Sequence, residues 1–208
     1  MINHKTENYD LDKLMYERIE LIIGDICNAN TDAIVTPTSF KDMSKAKGGV
    51  NLAIHNAAGP DLQKELEELW IHKGFTYCTR GYNLNCKAII HAAVPEFSNT
   101  WQWLYGCYSS SIYECYLRGY ASVAFPSLGT GHNGFPKDVA AKIALQSIQE
   151  YIYHYPKRNV RFKMYFTNID TLNAYYKELN DRLKENKNVK CMQDNESPEM
   201  LHIPELEL

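Results

Sequence analysis

The chain has 208 residues, of which 45% are hydrophobic, and this length is enough to bury one sizeable core. Its formal net charge is -3, from 22 lysine and arginine against 25 aspartate and glutamate residues, so it lacks the broad basic surface that binding to a nucleic-acid backbone requires. The first ten residues are polar and no apolar run reaches the roughly 18 residues of a membrane span, so we expect a cytoplasmic protein that does not enter a membrane.

Short runs rich in Val, Ile, Phe and Tyr predict six strands. They are residues 19–24, 32–37, 75–83, 87–94, 122–127 and 160–167. Between them, helical patterns occupy residues 49–58, 60–73, 101–118, 136–154 and 170–185. Two of these begin with a proline at the first helical position, Pro60 and Pro136. Strands that alternate with helices predict an α/β sandwich around a mixed sheet.

The first and last predicted strands each end in a residue suited to ligand contact. Asp25 follows the apolar run in IELIIGDI, where its carboxylate either caps a turn or accepts a hydrogen bond from a ligand such as an adenine amino group. Phe166 ends the last strand in MYFTN, where its ring is either part of the core or a stacking surface for a base.

Two glycine-rich stretches each follow a strand and open a helix. The first, KAKGGVNLAIHNAAGP, contains Gly48 and Gly49, and the second, SLGTGHNGFP, has the spelling G-x-G-x-x-G from Gly129 to Gly134. A dinucleotide fingerprint of this kind needs an acidic residue about 20 positions later, at the end of the next strand. The nearest acid, Glu150, lies in a predicted helix, and no Gly-Lys-Ser/Thr follows, so a Rossmann loop and a Walker loop are both disfavoured.

What remains for these glycines is either a plain turn or an anion site made by backbone N–H groups at the start of a helix. Two such loops could hold both phosphates of a diphosphate between them. The six cysteines, at positions 27, 78, 86, 107, 115 and 191, form no CxxC motif and no zinc-finger spacing. We therefore expect reduced thiols and no metal site.

These segments, taken in order, resemble the macro domain family, which binds ADP-ribose. The likeness runs from about residue 19 to 180 and rests on GDI, DAIV, GGVNLAIHNAAGP, GYNLNCKAIIHAAVP, AFPSLGTGHNGFP and MYFTNIDTLNAYY. TPTS and AFPSLGTGHNGFPK are most similar to the branch found in the macro-type histone variant. The resemblance implies a three-layer α/β/α sandwich around a mixed, mainly parallel central sheet.

The resemblance also assigns roles to residues. Asp25 would receive the adenine 6-amino group, Ile26 would line the adenine pocket, and Phe166 with Asn168 would close its other side. The positions that would surround the phosphates and the distal ribose are Gly48, Gly49, Val50 and Asn51 in the first loop, and Ser127, Gly129, Thr130, Gly131, His132, Asn133, Gly134 and Phe135 in the second.

The implied partner is ADP-ribose or an ADP-ribosylated protein. We expect no cofactor, no metal, no nucleic acid and no membrane, and a chain that acts as a monomer. Binding of RNA or poly(A) through the adenine pocket is a competing hypothesis that predicts steep salt dependence.

Whether the protein is an enzyme stays open. The hydrolytic branch of the family carries Asn-Ala-Ala-Asn and Gly-Val-Asp, where this chain has TPTS, ending at Ser39, and Gly49-Val50-Asn51. A neutral amide can orient a water or a ribose hydroxyl but cannot take a proton near neutral pH. A binding module is therefore the first hypothesis. The alternative is a slow hydrolase of mono-ADP-ribosyl-protein or O-acyl-ADP-ribose, with Asn51 and His132 as catalytic candidates.

Other polar side chains carry open alternatives. His55 and His91 have apolar neighbours in sequence and are expected to be hydrogen-bonded core histidines. His132, inside the second glycine loop, either reaches the phosphate or distal ribose or faces solvent. The lysines of the first loop either belong to a solvated loop or take part in chemistry: Lys41, Lys45 and Lys47.

Composition suggests three parts: an N-terminal extension at 1–18, a macro domain at 19–185 and an acidic tail at 186–208. The tail holds two lysines against five acidic residues, a net charge of 2 - 5 = -3, with no periodicity. It is predicted to be flexible or loosely docked. It either has no function of its own or carries a short partner-binding motif in EMLHIPELEL.

Overall fold

The computed structural model describes residues 9–39, 46, 48–68, 76–97 and 101–192, with the backbone alone for 184–192. Several sequence predictions fall outside these residues. They are Lys41, Lys45 and Lys47, positions 69–73 of the second predicted helix, residue 75, and residues 193–208 of the tail.

The described residues form one sheet of six strands in the order β1-β6-β5-β2-β4-β3. The strands are β1 (Ile19–Ile23), β2 (Ala33–Thr38), β3 (Thr76–Arg80), β4 (Ala88–Ala93), β5 (Ser122–Pro126) and β6 (Arg161–Phe166). Every pairing is parallel except that of β3 with β4. The predicted mixed, mainly parallel sheet is thereby confirmed.

The helices connect these strands. They are α1 (Leu11–Arg18), α2 (Gly49–Ala58), α3 (Pro60–Glu68), α4 (Trp101–Leu117), α5 (Lys137–His154) and α6 (Ile169–Met192), with a 3₁₀ turn at Ile26–Asn28. Parallel neighbours need a crossover that carries the chain back to the same end of the sheet, and the helices supply it.

Helices cover both faces of the sheet, which makes three layers. On one face, Ile54 of α2 and Leu62 of α3 are fully buried in the cluster that contains Ile34 and Ile89 of the sheet. On the other face, α1, α4, α5 and α6 enclose a larger apolar cluster that includes Phe125. The three-layer α/β/α sandwich expected from the resemblance is confirmed.

Some element bounds differ from those predicted. Helix α1 was not predicted, because its eight residues are too few to show a clear apolar stripe, yet Met15 on it is fully buried in the core. Pro136 is the N-cap of α5 and not its first helical residue. Helix α6 continues to Met192, past residue 185, where the last predicted helix ends.

Two searches of the described residues bear on what the chain contains. None of the described helices is long and apolar enough to cross a membrane. No group of three or more His, Cys, Asp or Glu side chains with the spacing of a metal site is present in the described part of the chain.

Candidate functional site

Most of the predicted ligand-binding residues lie at one edge of the sheet. Five strands run parallel, so their carboxyl ends meet at the same edge. Asp25 follows β1, Asn51 follows β2, Gly131 follows β5 and Asn168 follows β6. Ligands of open α/β sheets bind outside the carboxyl ends of the strands. The fold therefore brings together segments that lie more than 100 residues apart in sequence.

Residues 127–136, here named the glycine loop, form a tight turn between β5 and α5. Its closing hydrogen bonds run from the N–H of Gly134 to the carbonyl of Gly131, 3.1 Å, and from the N–H of Phe135 to the carbonyl of Gly129, 3.0 Å. No described residue accepts a hydrogen bond from the N–H groups of Thr130, Gly131 or His132. These donors lie in the loop that leads into α5, whose N-cap is Pro136, and unpaired backbone N–H groups in such a loop can bind an anion.

The underside of the glycine loop is filled by an aromatic ring. Phe135 is 3% exposed, and a Cβ added to Gly129 would lie 2.7 Å from its Cδ2 atom. Gly129 also has a φ of +83°, which disfavours any other residue. Gly131 differs, because a Cβ added there would meet no atom within 4 Å. The loop thus needs glycine at 129 for packing, whereas Gly131 borders open space.

Asn133 ties the glycine loop to the segment that follows β4. The side-chain NH₂ group of Asn133 donates to the carbonyl oxygens of Val94 and Pro95, 3.1 and 3.0 Å away. The backbone carbonyl of Asn133 accepts from the N–H of Phe97 at 2.7 Å. The ring centroids of Phe97 and Phe135 are 5.0 Å apart. Phe97, which no sequence pattern singled out, is half-exposed beside the loop.

The first glycine pair opens helix α2 without a side-chain cap. Gly48 is the N-cap, with φ 142° and ψ -178°, and Gly49 is the first helical residue. A Cβ added to either glycine would meet no atom within 4 Å. Val50 behind them is half-buried and packs against the smaller core cluster. The start of α2 is therefore a second open surface with backbone donors.

Asn51 lies in the first turn of α2 and is buried, with 7% of its surface exposed. Its Oδ1 atom accepts a hydrogen bond from Oγ1 of Thr36, on β2, at 3.3 Å. Thr38, two residues further along β2, has a buried hydroxyl without a partner among the described residues. Asn51 can orient a bound hydroxyl or water, but its amide has no basic lone pair for proton abstraction.

The three histidines considered in the sequence analysis have different surroundings. His55 and His91 are buried against each other, with ring centroids 6.1 Å apart, and Nε2 of His91 lies 3.0 Å from Oγ1 of Thr79. Burial lowers the pKa of His91 to about 3, helped by the neighbouring His55, and burial also lowers the pKa of His55. Both are neutral near pH 7. His132 is exposed on the glycine loop.

Two predicted residues, Asp25 and Asn168, follow the carboxyl ends of β1 and β6 and have capping roles. Oδ1 of Asp25 accepts from the N–H of Cys27 at 2.9 Å and caps the 3₁₀ turn, while the carboxylate as a whole is exposed. Oδ1 of Asn168 accepts from the N–H and the hydroxyl of Thr171, both at 2.9 Å. An exposed carboxylate that uses one oxygen for the cap retains the other for a ligand.

The apolar residues at this end lie in the core. Ile26 is 4% exposed and Phe166 is 2% exposed, with the Phe166 ring 4.8 Å from the ring of Tyr175. Stacking of a base on Phe166 remains a prediction.

Sequence reasoning missed two tyrosines beneath the glycine loop. Tyr108 on α4 and Tyr175 on α6 are both fully buried, and their hydroxyl oxygens are 3.0 Å apart. Tyr175 Oη is also 3.0 Å from Oγ of Ser127, and the N–H of Leu128 donates to Tyr108 Oη at 2.9 Å. The chain has 15 tyrosines in no motif, so only the tertiary structure identifies this pair.

Comparisons with known proteins agree with this geometry. Residues 34–144 match the Macro domain family. The O-acetyl-ADP-ribose deacetylase of Escherichia fergusonii is 34% identical over 149 residues, which are 66% of this chain and 82% of that protein.

Two solved structures are also similar. An Oceanobacillus iheyensis macrodomain with ADP has a TM-score of 0.73 and 28% identity, and the match covers 80% of this chain and 92% of that one. A Trypanosoma brucei macrodomain in complex with ADP-ribose has a TM-score of 0.74 and 25% identity, covering 79% of this chain and 70% of the other. The fold, the family match and these relatives together show that the chain belongs to the macro domain family.

Proposed function

We propose that the protein binds ADP-ribose, either free or as the terminal ADP-ribose of a modified protein. The observation that carries this proposal is the order of chemical groups along the edge of the sheet. Asp25 follows β1, the glycine loop follows β5, and the start of α2 follows β2, in a sheet ordered β1-β6-β5-β2. Adenine, diphosphate and distal ribose have the same order in ADP-ribose.

The dimensions support this assignment. Neighbouring strands are about 4.8 Å apart, so β1 and β2 are separated by roughly 14 Å, which suits an extended dinucleotide diphosphate. The unpaired N–H groups of the glycine loop follow β5, between the two ends of that span, where the diphosphate charge of the ligand would lie. Relatives solved with ADP and with ADP-ribose support the same ligand class.

In this proposal each segment contacts one part of the ligand. Asp25 receives the adenine 6-amino group beside Ile26, with Phe166 and Asn168 on the other side of the base. The phosphates and the distal ribose meet the two glycine-rich segments: Gly48, Gly49, Val50, Asn51, Ser127, Gly129, Thr130, Gly131, His132, Asn133, Gly134 and Phe135.

The second candidate function is hydrolysis of mono-ADP-ribosyl-protein or O-acyl-ADP-ribose. It is favoured by the similarity to a protein named O-acetyl-ADP-ribose deacetylase. Asn51, oriented by Thr36, would hold a water or the distal ribose rather than deprotonate it. His132 supplies an imidazole on the glycine loop. Loss of general-base assistance costs about a hundredfold to ten-thousandfold in rate, so we expect a slow enzyme at most.

The experiment is a calorimetric titration of the purified protein with ADP-ribose, with AMP and NAD as controls. Tight binding of ADP-ribose over both controls supports the proposal, and its absence overturns it. Incubation with O-acetyl-ADP-ribose and with a mono-ADP-ribosylated protein then separates a reader from a hydrolase by product release. A titration with poly(A) at two salt concentrations tests the nucleic-acid alternative, which requires a steep loss of affinity as salt rises.

A further inference from the structure

The buried tyrosine pair beneath the glycine loop has a defined hydrogen-bond order. Tyr108 and Tyr175 are both fully buried, and the hydroxyls of Tyr108, Tyr175 and Ser127 form a chain with 3.0 Å between successive oxygens. The N–H of Leu128 enters this chain by donating to Tyr108 Oη at 2.9 Å. Burial raises the pKa of both tyrosines, that of Tyr175 to about 12, so both carry their protons at physiological pH.

The direction of the hydrogen bonds between these three hydroxyls follows from counting their protons. Each hydroxyl has one proton to donate. If Tyr108 donates to Tyr175 and Tyr175 donates to Ser127, both buried protons are used. In any other order, one tyrosine O–H is left without an acceptor among the described residues, in the dry core, and such an unpaired donor is costly.

In the favoured order the hydroxyl proton of Ser127 is not used in a hydrogen bond to either tyrosine. Ser127 is half-buried, whereas the tyrosines are fully buried, so among the three hydroxyls this one is within reach of a ligand. It stands at the first position of the glycine loop, three residues before the N–H of Thr130, a backbone donor without a partner among the described residues. Because its oxygen accepts from Tyr175, its own proton is the better donor, since successive hydrogen bonds polarise one another.

We propose that Tyr108 and Tyr175 are positioning residues: they fix the beginning of the glycine loop and turn the Ser127 hydroxyl into a donor to a phosphate oxygen of the bound nucleotide. This inference rests on the proposed function for the identity of the ligand. It adds a side-chain donor to a phosphate site otherwise made of backbone, and it assigns a role in ligand binding to residues on α4 and α6 that do not contact the ligand.

The test is a double-mutant cycle with Tyr175→Phe and Ser127→Ala, measured by calorimetry with ADP-ribose and with adenosine. Each single variant should lose roughly 3- to 10-fold in ADP-ribose affinity, the size of one hydrogen bond, and keep its affinity for adenosine, which has no phosphate. The double variant should be no weaker than Ser127→Ala alone. Losses that multiply, unchanged ADP-ribose affinity, or an equal loss for adenosine would each overturn the proposal.

A matched control is available in Tyr151→Phe. Tyr151 on α5 is also buried, but its hydroxyl has no hydrogen-bond partner in the described part of the chain. Removing that hydroxyl should leave both affinities unchanged. If Tyr151→Phe lost as much ADP-ribose affinity as Tyr175→Phe, any change in this core would weaken binding. That result would contradict a specific positioning role for Tyr108 and Tyr175.

Amide hydrogen exchange of the free protein separates this proposal from the proposed function. In Tyr108→Phe the Leu128 amide loses its acceptor and should exchange at least roughly tenfold faster, while Tyr151→Phe leaves it unchanged. Unchanged exchange in Tyr108→Phe overturns the positioning role. Failure of the wild-type protein to bind ADP-ribose overturns the proposed function and with it the phosphate contact, whereas the exchange result still decides whether the tyrosines hold the loop.

Discussion

Thr36 donates a hydrogen bond from its Oγ1 atom to Oδ1 of Asn51 across 3.3 Å, which joins strand β2 to the first turn of helix α2. The contact is buried, with Thr36 fully buried and Asn51 7% exposed. It orients a neutral amide where the hydrolytic branch, by resemblance, carries an acid. Asn51 can therefore hold a polar group beside the first glycine pair, Gly48 and Gly49, but its neutral amide cannot remove a proton from that group.

This arrangement predicts the effect of Asn51→Asp. A carboxylate in the first turn of a helix is favoured by the helix dipole and can still accept from Thr36, so the variant should fold. If the scaffold lacks only a base, hydrolysis of O-acetyl-ADP-ribose should rise at least tenfold, toward the hundredfold or more that general-base assistance provides. The measurement is product release per enzyme at pH 7.5. Unchanged turnover with intact ADP-ribose binding would contradict this explanation, and Asn51→Leu serves as the inactive control.

Gly131→Glu should abolish ADP-ribose binding without unfolding the protein. A side chain at this position meets no atom within 4 Å, so the fold tolerates it, while the new carboxylate stands among the donors proposed for the diphosphate. Gly131→Gln, which has the same size and no charge, separates repulsion from obstruction. Thermal unfolding should be unchanged in both variants. If Gly131→Glu bound ADP-ribose like the wild type, the glycine loop would be a turn and not a phosphate site.

Asp25→Ala should weaken ADP-ribose binding by about 1–3 kcal/mol, the cost of leaving a polar partner unpaired. Because Oδ1 of Asp25 also caps the 3₁₀ turn, Asp25→Asn is the sharper variant. Asparagine retains the cap but presents an amino group where the adenine amino group requires an acceptor. Asp25→Asn should therefore lose affinity for ADP-ribose and gain relative affinity for the inosine analogue, which has an oxygen at that position. If Asp25→Asn preferred ADP-ribose over the inosine analogue as strongly as the wild type does, the adenine assignment would be wrong.

Stability should fall as the solution is acidified below pH 6.5. Burial lowers the pKa of His91 to about 3 and also lowers the pKa of His55, so both histidines bind protons more readily in the unfolded chain. Their contribution to stability is complete above the unfolded pKa of about 6.5 and is lost progressively as the pH falls from there toward the folded pKa. For His91 the loss approaches about 1.4 kcal/mol per pH unit between these two pKa values, and His55 adds to it in the same direction.

Urea unfolding at pH 7, 6 and 5 measures this dependence above the range in which most carboxylates titrate. His91→Gln should reduce the slope of unfolding free energy against pH, because glutamine can still contact Thr79 but does not titrate. A wild-type stability that did not change between pH 7 and 5 would contradict the buried, neutral state of the pair.

Patterns within short stretches of sequence predicted most of the strands and helices, because hydrophobic periodicity and helix-starting prolines depend only on neighbouring residues. Short β-branched and aromatic runs marked each strand to within a few residues, and Pro60 does begin α3. Helix α1 was missed because eight residues show no clear periodicity, and Met15 is buried by tertiary packing alone. The domain bounds 19–185 and the function of the tail remain predictions.

For the site, the sequence by itself determined which segments carry anion-binding glycines and which residues stand at strand ends, because such backbone requirements are written in short stretches. Tertiary structure alone decided how they meet: the parallel order β1-β6-β5-β2 aligns Asp25, the glycine loop and Asn51 along one edge. It also decided that Tyr108 and Tyr175 meet under Ser127, since a contact across 67 residues between two helices leaves no periodic trace in either segment.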